Sequence, residues 1–259
     1  MYHRTLETAW GRLVSRDVKI PLQLLSPSQL QRNAFIAGVL LGENEWDDPS
    51  TQTLKLASQC IIGSKNKKVI GVTKGLLFIE NLLTSDQQLT QQDICDLHTI
   101  VNPTKRPGQF RILDARPIDR RGFKYLEPNY IEYRLQVLLS FCNERFSSSP
   151  LCLVALFLSE ILWIHPFSDG NGRVSRLLVA FLLMKHQFPL NSLYNEENPD
   201  LFLDSIRCRD GNLDALNPPT QLYHYILWCF AKDPIHKPLI TFSNETELDM
   251  CAIENLYTN

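Results

Sequence analysis

Apolar residues recur at helical spacing over most of the chain, and strand-like alternation is scarce. Val72, Leu76, Ile79 and Leu83 fall on one face of "VTKGLLFIENLL", which predicts an amphipathic helix. The next stretch, "LTQQDICDLHTIV", opens with Thr90 and Asp93 spaced as a capping box and places Ile94, Leu97, His98 and Val101 on one face, a second helix. The pattern then breaks over "RPGQFRILDARPIDRRGFKYLEP", with prolines at both ends, Gly122 inside, and Phe123 and Tyr125 on one side of any extended segment. This predicts an exposed hairpin or flap from about Arg111 to Glu127. Helical spacing resumes with Ile131, Leu135, Leu138 and Cys142, and "SSSP" separates that helix from the run Leu151 to Ile164. The run is too apolar for a surface helix and is expected to be the central buried one, followed by a helix whose inward stripe is Leu177, Phe181, Met184 and Phe188.

Composition narrows the class. With 259 residues, 44% hydrophobic and 21% charged, the chain can bury one good core and fits one large globular domain with appendages. A formal net charge of -2 lacks the basic footprint of a general nucleic-acid binder, so nucleic acid is not an expected partner. Seven scattered cysteines without a C-x-x-C pair suggest neither a disulfide framework nor a zinc site, and read as thiols in a reducing compartment. The first residues are polar, and the longest apolar run is interrupted by Ser159 and Glu160, so neither a secretory signal nor a membrane anchor is read. The expected location is the cytoplasm, or a host cytosol reached by a signal-less route.

Between the two core helices stands "HPFSDGNGR", His165 to Arg173. Pro166 cannot continue the preceding helix, which leaves His165 at its end, where an imidazole can serve as a base. "DGNGR" offers nearly unobstructed backbone N–H groups at a helix start, where the dipole favours an anion such as phosphate. Arg173 and Arg176 share a face in the first turns of that helix and offer two forked donors for further phosphate oxygens, while Asp169 is a hard oxygen ligand suited to magnesium. Phe167 is read as pointing into the core. Taken singly, the histidine is a capping residue and "DGNG" a turn; packing alone does not account for their conjunction with both arginines.

The stretch "HPFSDGNGRVSR" resembles the active-site signature of the Fic family, H-P-F-x-D/E-G-N-G-R-x-x-R, at every specified position. "DICDLHTIV" followed by "RPGQFR" is similar to the family's helix ending in Leu-His and its Pro-Gly-aromatic-Arg lead into the flap, so the likeness covers roughly residues 70 to 230. The resemblance implies an all-α Fic-type helical core with a small β-hairpin flap. It divides the chain into an N-terminal helical region (1–87), a catalytic core (88–230) and a C-terminal arm (231–259). It implies a protein adenylyltransferase that moves AMP from ATP, with magnesium, onto a Ser, Thr or Tyr hydroxyl of a target protein; a homodimer is left open. Carried over, His165 would deprotonate the target hydroxyl, and Asp169 would hold magnesium. Gly170, Asn171 and Gly172 would form the anion hole, and Arg173 and Arg176 would grip the outer phosphates. Phe123 and Tyr125 would be flap contacts to an extended target segment, or pack on the core.

Two departures stand out. Many Fic proteins carry an inhibitory helix, Ser/Thr-x-x-x-Glu-Gly/Asn, whose glutamate pairs with the second motif arginine. Upstream of the core, "LASQCIIGSKN" matches it at Ser58 and Gly63 but has Ile62 in place of glutamate, so it reads either as a brake without its acid or as coincidence. In "NPDLFLDSI", Leu201 and Phe202 stand where relatives have a tyrosine pair, leaving Phe202 as a candidate face for the adenine ring. The alternatives are transfer of UMP, phosphate or phosphocholine, or a non-enzymatic interaction protein. Gly172 argues against the phosphate-transferring kind, which has lysine there, and His165, Arg173 and Arg176 together argue against loss of chemistry.

Overall fold

A computed structural model of the chain describes residues 2–15, 27–42, 54–85, 87–103, 106–115, 124–145, 149–194, 202, 205–206 and 219–232. Helices α1 (Tyr2–Val14), α2 (Gln29–Gly42), α3 (Leu54–Gln59) and α4 (Lys67–Thr84) precede α5 (Gln91–Val101) and α6 (Ile131–Glu144). They are followed by α7 (Pro150–Ile164), α8 (Asn171–Lys185) and α9 (Thr220–Lys232). No strand occurs among the described residues.

Local signals fix the helix boundaries. Asn66 caps α4 by accepting from Lys68 N–H at 2.8 Å. At α5 the capping box forms as expected: Thr90 N–H donates to Asp93 Oδ2 at 2.9 Å, and Asp93 N–H donates to Thr90 Oγ1 at 3.2 Å. Helix α7 begins with Pro150 in its first turn, where the missing N–H costs nothing, and its residues are buried almost all round. It is therefore the central helix that its composition predicts: α8, α9, α6 and α1 all pack on it, while α8 also packs on α4, α5 and α2. Gly75 sets the closeness of α4, because a Cβ there would come within 2.7 Å of Val101 Cγ1 and 2.8 Å of Leu177 Cδ1.

The polar break in the α7 run is also internal. Glu160 is buried and accepts a hydrogen bond from the Tyr2 hydroxyl, which ties α1 to the central helix. Helices of the 1–87 region thus lie directly on the 88–230 core, α1 on α6 and α7, α2 on α8, and α4 on α5 and α8. The C-terminal arm from 233 onward lies outside the described residues. No described helix is long and apolar enough to cross a membrane.

The hairpin expected between Arg111 and Glu127 is not what the described arms show. Residues 116–123, Phe123 among them, lie outside the described residues. The backbone N–H groups of the two flanking arms bond to the end of α7, Arg111 N–H to Pro166 O at 2.9 Å and Leu126 N–H to Trp163 O at 3.3 Å, while side chains join the arms, Arg111 Nη2 to Leu126 O and Lys124 to Asp114. The unsatisfied carbonyls of a helix C-terminus attract these donors.

Candidate active site

The loop from His165 to Gly170 joins α7 to α8, and partners fasten its backbone and the Asn171 amide, whereas the buried His165 Nδ1 has no hydrogen-bond partner among the described residues. His165 caps α7 with left-handed backbone, φ 48° and ψ 59°, donating its N–H to Ile161 O. Such a conformation costs a non-glycine residue about 1–2 kcal/mol and persists only where the surroundings over-determine it. Here they do, since Arg111 Nε donates to His165 O at 2.7 Å and the ring of Tyr125 stacks on the imidazole at 3.8 Å. Burial, and then the Arg111 cation, push the imidazole down to about 4, against opposing effects of the Leu162 carbonyl and the Asp169 carboxylate. At neutral pH it is uncharged and able to accept a proton.

Phe167 is fully buried, as its apolar character requires, and stacks on His98 with ring centroids 3.8 Å apart. His98 is buried too, and its ring nitrogens fix its tautomer. Nδ1 accepts from Gly108 N–H at 2.9 Å, so Nε2 carries the hydrogen and donates to Asp169 O at 3.1 Å. Burial holds His98 below its ordinary range. Asn171 completes the fastening: its Nδ2 donates to Phe167 O at 2.8 Å and its Oδ1 accepts from Phe167 N–H at 2.9 Å.

With its amide engaged by Phe167, Asn171 could offer an anion only its backbone N–H. Gly170 precedes α8 with φ 78°, and a Cβ there would lie 2.9 Å from Asn102 Nδ2, so glycine is required on both counts. The first intrahelical bond of α8 runs from Val174 N–H to Gly170 O, which leaves the preceding N–H groups at the positive end of the helix. Asp169 stands at that end with its side chain 64% exposed. Its Oδ2 takes Asn102 Nδ2 at 3.0 Å and Arg173 Nη2 at 3.5 Å, and its Oδ1 takes no protein donor among the described residues. A single exposed carboxylate beside a phosphate cradle fits magnesium, which is commonly held by one carboxylate and the substrate's own oxygens. No group of three or more metal-ligating side chains occurs among the described residues.

The two arginines expected on one face of α8 both lie buried on backbone partners. Arg173 is buried and donates Nη1 to Val101 O at 2.9 Å, so it bridges the end of α5 to Asp169. Arg176 is buried one turn further in: Nη2 donates to Gly42 O at 3.4 Å, at the end of α2, and the guanidinium lies 4.5 Å over the ring of Phe202. Burial pushes Arg176 down to about 10. Phe202 is itself buried against Arg176 and Tyr225, so the exposed adenine platform expected of it is absent from this arrangement.

Of the flap residues, Tyr125 packs on the imidazole of His165 instead of standing free for a target. The segment matched to an inhibitory motif is not what meets Arg176. Ile62 is 73% exposed and Gly63 faces open space, whereas the end of α2 supplies the contact. Ile62→Glu is accordingly expected to change neither the melting temperature nor the rate of any transfer reaction beyond about 0.5 kcal/mol, as for an ordinary surface substitution. A drop of tenfold or more in rate with an unaltered melt would restore Ile62 to the site.

Sequence reasoning assigned no role to Arg111, Asn102 or Gly42. Arg111 is visible in "RPGQFR" as the arginine that leads into the flap, but its partners are backbone carbonyls, which carry no sequence signal. His98 is legible as part of an apolar face and as the histidine of the Leu-His helix end, but its partners Gly108 and Asp169 are not.

Comparison with known proteins agrees with this geometry. Residues 88–183 match the model of the Fic/DOC family. A curated relative, Protein adenylyltransferase Fic of Drosophila willistoni, is 31% identical over 130 residues, covering 48% of this chain and 26% of that protein. The chain thus spans about a quarter of the length of the curated relatives it matches. Among solved structures, a Fic-domain signaling protein of Bacteroides thetaiotaomicron aligns with TM-score 0.62 at 20% identity, covering 88% of this chain and 93% of that one. IbpAFic2, in a structure where it is covalently tethered to Cdc42, aligns with TM-score 0.54 at 18% identity over 88% of this chain and 70% of that one. Residues 88–183 thus resemble the Fic/DOC family, and the fold of the chain is that of solved Fic-domain structures.

Proposed function

We propose that the protein is an adenylyltransferase that moves AMP from ATP onto a Ser, Thr or Tyr hydroxyl of a target protein. The observation that carries this reading is the joining of a neutral, stacked imidazole to the open N-terminus of α8 by a loop fastened at Phe167 and Asp169. A proton acceptor and an anion cradle are thereby fixed on one rigid element. The relatives named protein adenylyltransferase, and the IbpAFic2 structure tethered to Cdc42, support a protein as acceptor.

In this reading the triphosphate lies on the N–H groups at Gly170, Asn171 and Gly172. His165 accepts the proton as the target oxygen attacks the α-phosphorus, and the bond from that phosphorus to the bridging oxygen breaks to release pyrophosphate. Asp169 would hold magnesium, which neutralises charge on the phosphate oxygens when bound. Arg173 sets the position of Asp169 and adds positive charge at the cradle. Arg176 reaches an outer phosphate by exchanging the Gly42 carbonyl for a phosphate oxygen, and Phe123 lies in the segment that would meet the target.

The test supplies purified protein and a cell lysate with ATP labelled at the α- or the γ-phosphate, and with α-labelled UTP and labelled CDP-choline in parallel. Protein-bound label from α-labelled ATP alone is the expected result. Transfer of the γ label, or of another donor in preference, overturns the adenylyl assignment. Asp169→Asn is expected to lower transfer on the order of 10²-fold and to raise the magnesium concentration for half-maximal rate. An unchanged magnesium titration would remove Asp169 from the metal site.

A further inference from the structure

Arg111 takes no part in the reaction as described, yet it is one of the most heavily bonded side chains near the base. It is 5% exposed, and every hydrogen bond its guanidinium makes goes to a backbone carbonyl. Two of these carbonyls belong to the end of α7, His165 O at 2.7 Å from Nε and Ile164 O at 3.4 Å from Nη2. The other two belong to the arms of the 111–127 segment, Leu113 O at 2.8 Å from Nη1 and Leu126 O on Nη2. Backbone donors of the same segment take the carbonyls on either side, Arg111 N–H to Pro166 O and Leu126 N–H to Trp163 O. The whole C-terminal end of α7 is therefore closed by this segment, with a cation at the negative end of the helix. Tyr125, next to Leu126, delivers its ring onto the imidazole.

We infer that Arg111 is a positioning residue that fixes both the backbone and the ring of His165, by clamping the end of α7 to the segment that carries Tyr125. The inference rests on the reading of His165 as the base. Without the fork, the His165 carbonyl loses its donor, the left-handed backbone is free to relax, and the ring swings away from the cradle. A lysine restores the charge at one point but cannot span carbonyls on two segments, and a glutamine supplies neither charge nor reach.

The experiment uses the full chain with Arg111→Lys, Arg111→Gln and, for reference, His165→Ala, all assayed well below their melting temperatures with the labelled donor that the wild type transfers. Both Arg111 variants are expected to lose about 100-fold in kcat, with KM for the triphosphate changed by less than about twofold, as a misplaced base requires. The imidazole signals, assigned by their absence from His165→Ala in a long-range proton–nitrogen spectrum, supply a readout independent of transfer. Arg111 lowers the His165 midpoint, and Asp169 and the Leu162 carbonyl raise it. Loss of the cation in Arg111→Gln is therefore expected to move that midpoint upward, while Arg111→Lys shifts the signal with a smaller change of midpoint. Wild-type kcat in both variants, or a His165 signal unmoved in Arg111→Gln, overturns the inference. Normal transfer by His165→Ala would instead refute the base assignment, and the spectrum would still decide whether Arg111 positions the ring.

Discussion

Replacing His165 with alanine is expected to lower group transfer by about 10²–10⁴-fold while leaving triphosphate affinity within about twofold of wild type. In the proposed reaction the imidazole would supply a proton acceptor and no bond to the N-terminus of α8, which begins at Asn171 after Gly170 and Asn102. Isothermal titration with the triphosphate and single-turnover transfer rates separate the two quantities. A parallel loss of both would make His165 a structural cap of α7. The wild-type profile against pH follows from the lowered imidazole value of about 4. Because the working form is neutral, the rate stays level from neutrality down to about pH 5 and declines as the pH falls through the imidazole midpoint. A midpoint near the ordinary histidine value, about 6.5, would mean that the ring is neither buried nor influenced by Arg111 during turnover.

Asn171→Ala is expected to be the most destabilising single change in the loop. Its amide satisfies both the N–H and the carbonyl of Phe167, a fully buried residue. Removing it strands a buried donor and a buried acceptor, at about 1–3 kcal/mol for each group that water does not reach. For a chain of this size a loss of about 3 kcal/mol lowers the melting temperature by roughly 6–12 °C. Transfer falls as well, because the turn that aims the start of α8 is no longer fastened. Asn171→Asp is the discriminating control. It keeps an acceptor for Phe167 N–H but sets a carboxylate oxygen against Phe167 O, so it should melt below wild type by an amount similar to alanine. Melting temperatures within about 2 °C of wild type for both variants would show that the amide is not what holds the turn.

How much of this the sequence discloses depends on whether the cause is local. The α5 boundary is local: Thr90 and Asp93 are three residues apart and satisfy each other in the structure as their spacing requires. The α7 core is local in the same sense, since a helix apolar on all sides has to be buried wherever the chain goes. The stretch from His165 to Arg173 is contiguous, so its base and helix N-terminus are readable in order. Roles set by distant partners are not. Arg173 and Arg176 share a helix face as spacing demands, but Val101 O and Gly42 O decide that both are buried instead of presented to solvent. Phe202 is aromatic and plausible as a stacking face, yet the cation it stacks on belongs to Arg176. The Ser58 to Gly63 match failed to meet Arg176 because two matching residues five apart say nothing about which helix end reaches it. The last residue of α2, Gly42, carries that contact with no motif to announce it.

The burial of α7 on every side has a consequence for the lifetime of the site. Amides of a helix packed by α1, α6, α8 and α9 are released to solvent only when several neighbours separate together, which places them among the slowest to exchange their hydrogens. Local openings of peripheral elements, such as the detachment of α1 at the Tyr2–Glu160 contact, expose one flank of α7 without unwinding its last turn. His165 is attached to that last turn. Its placement therefore shares the persistence of the slowest-opening part of the protein, even though the side chain itself lies in a loop.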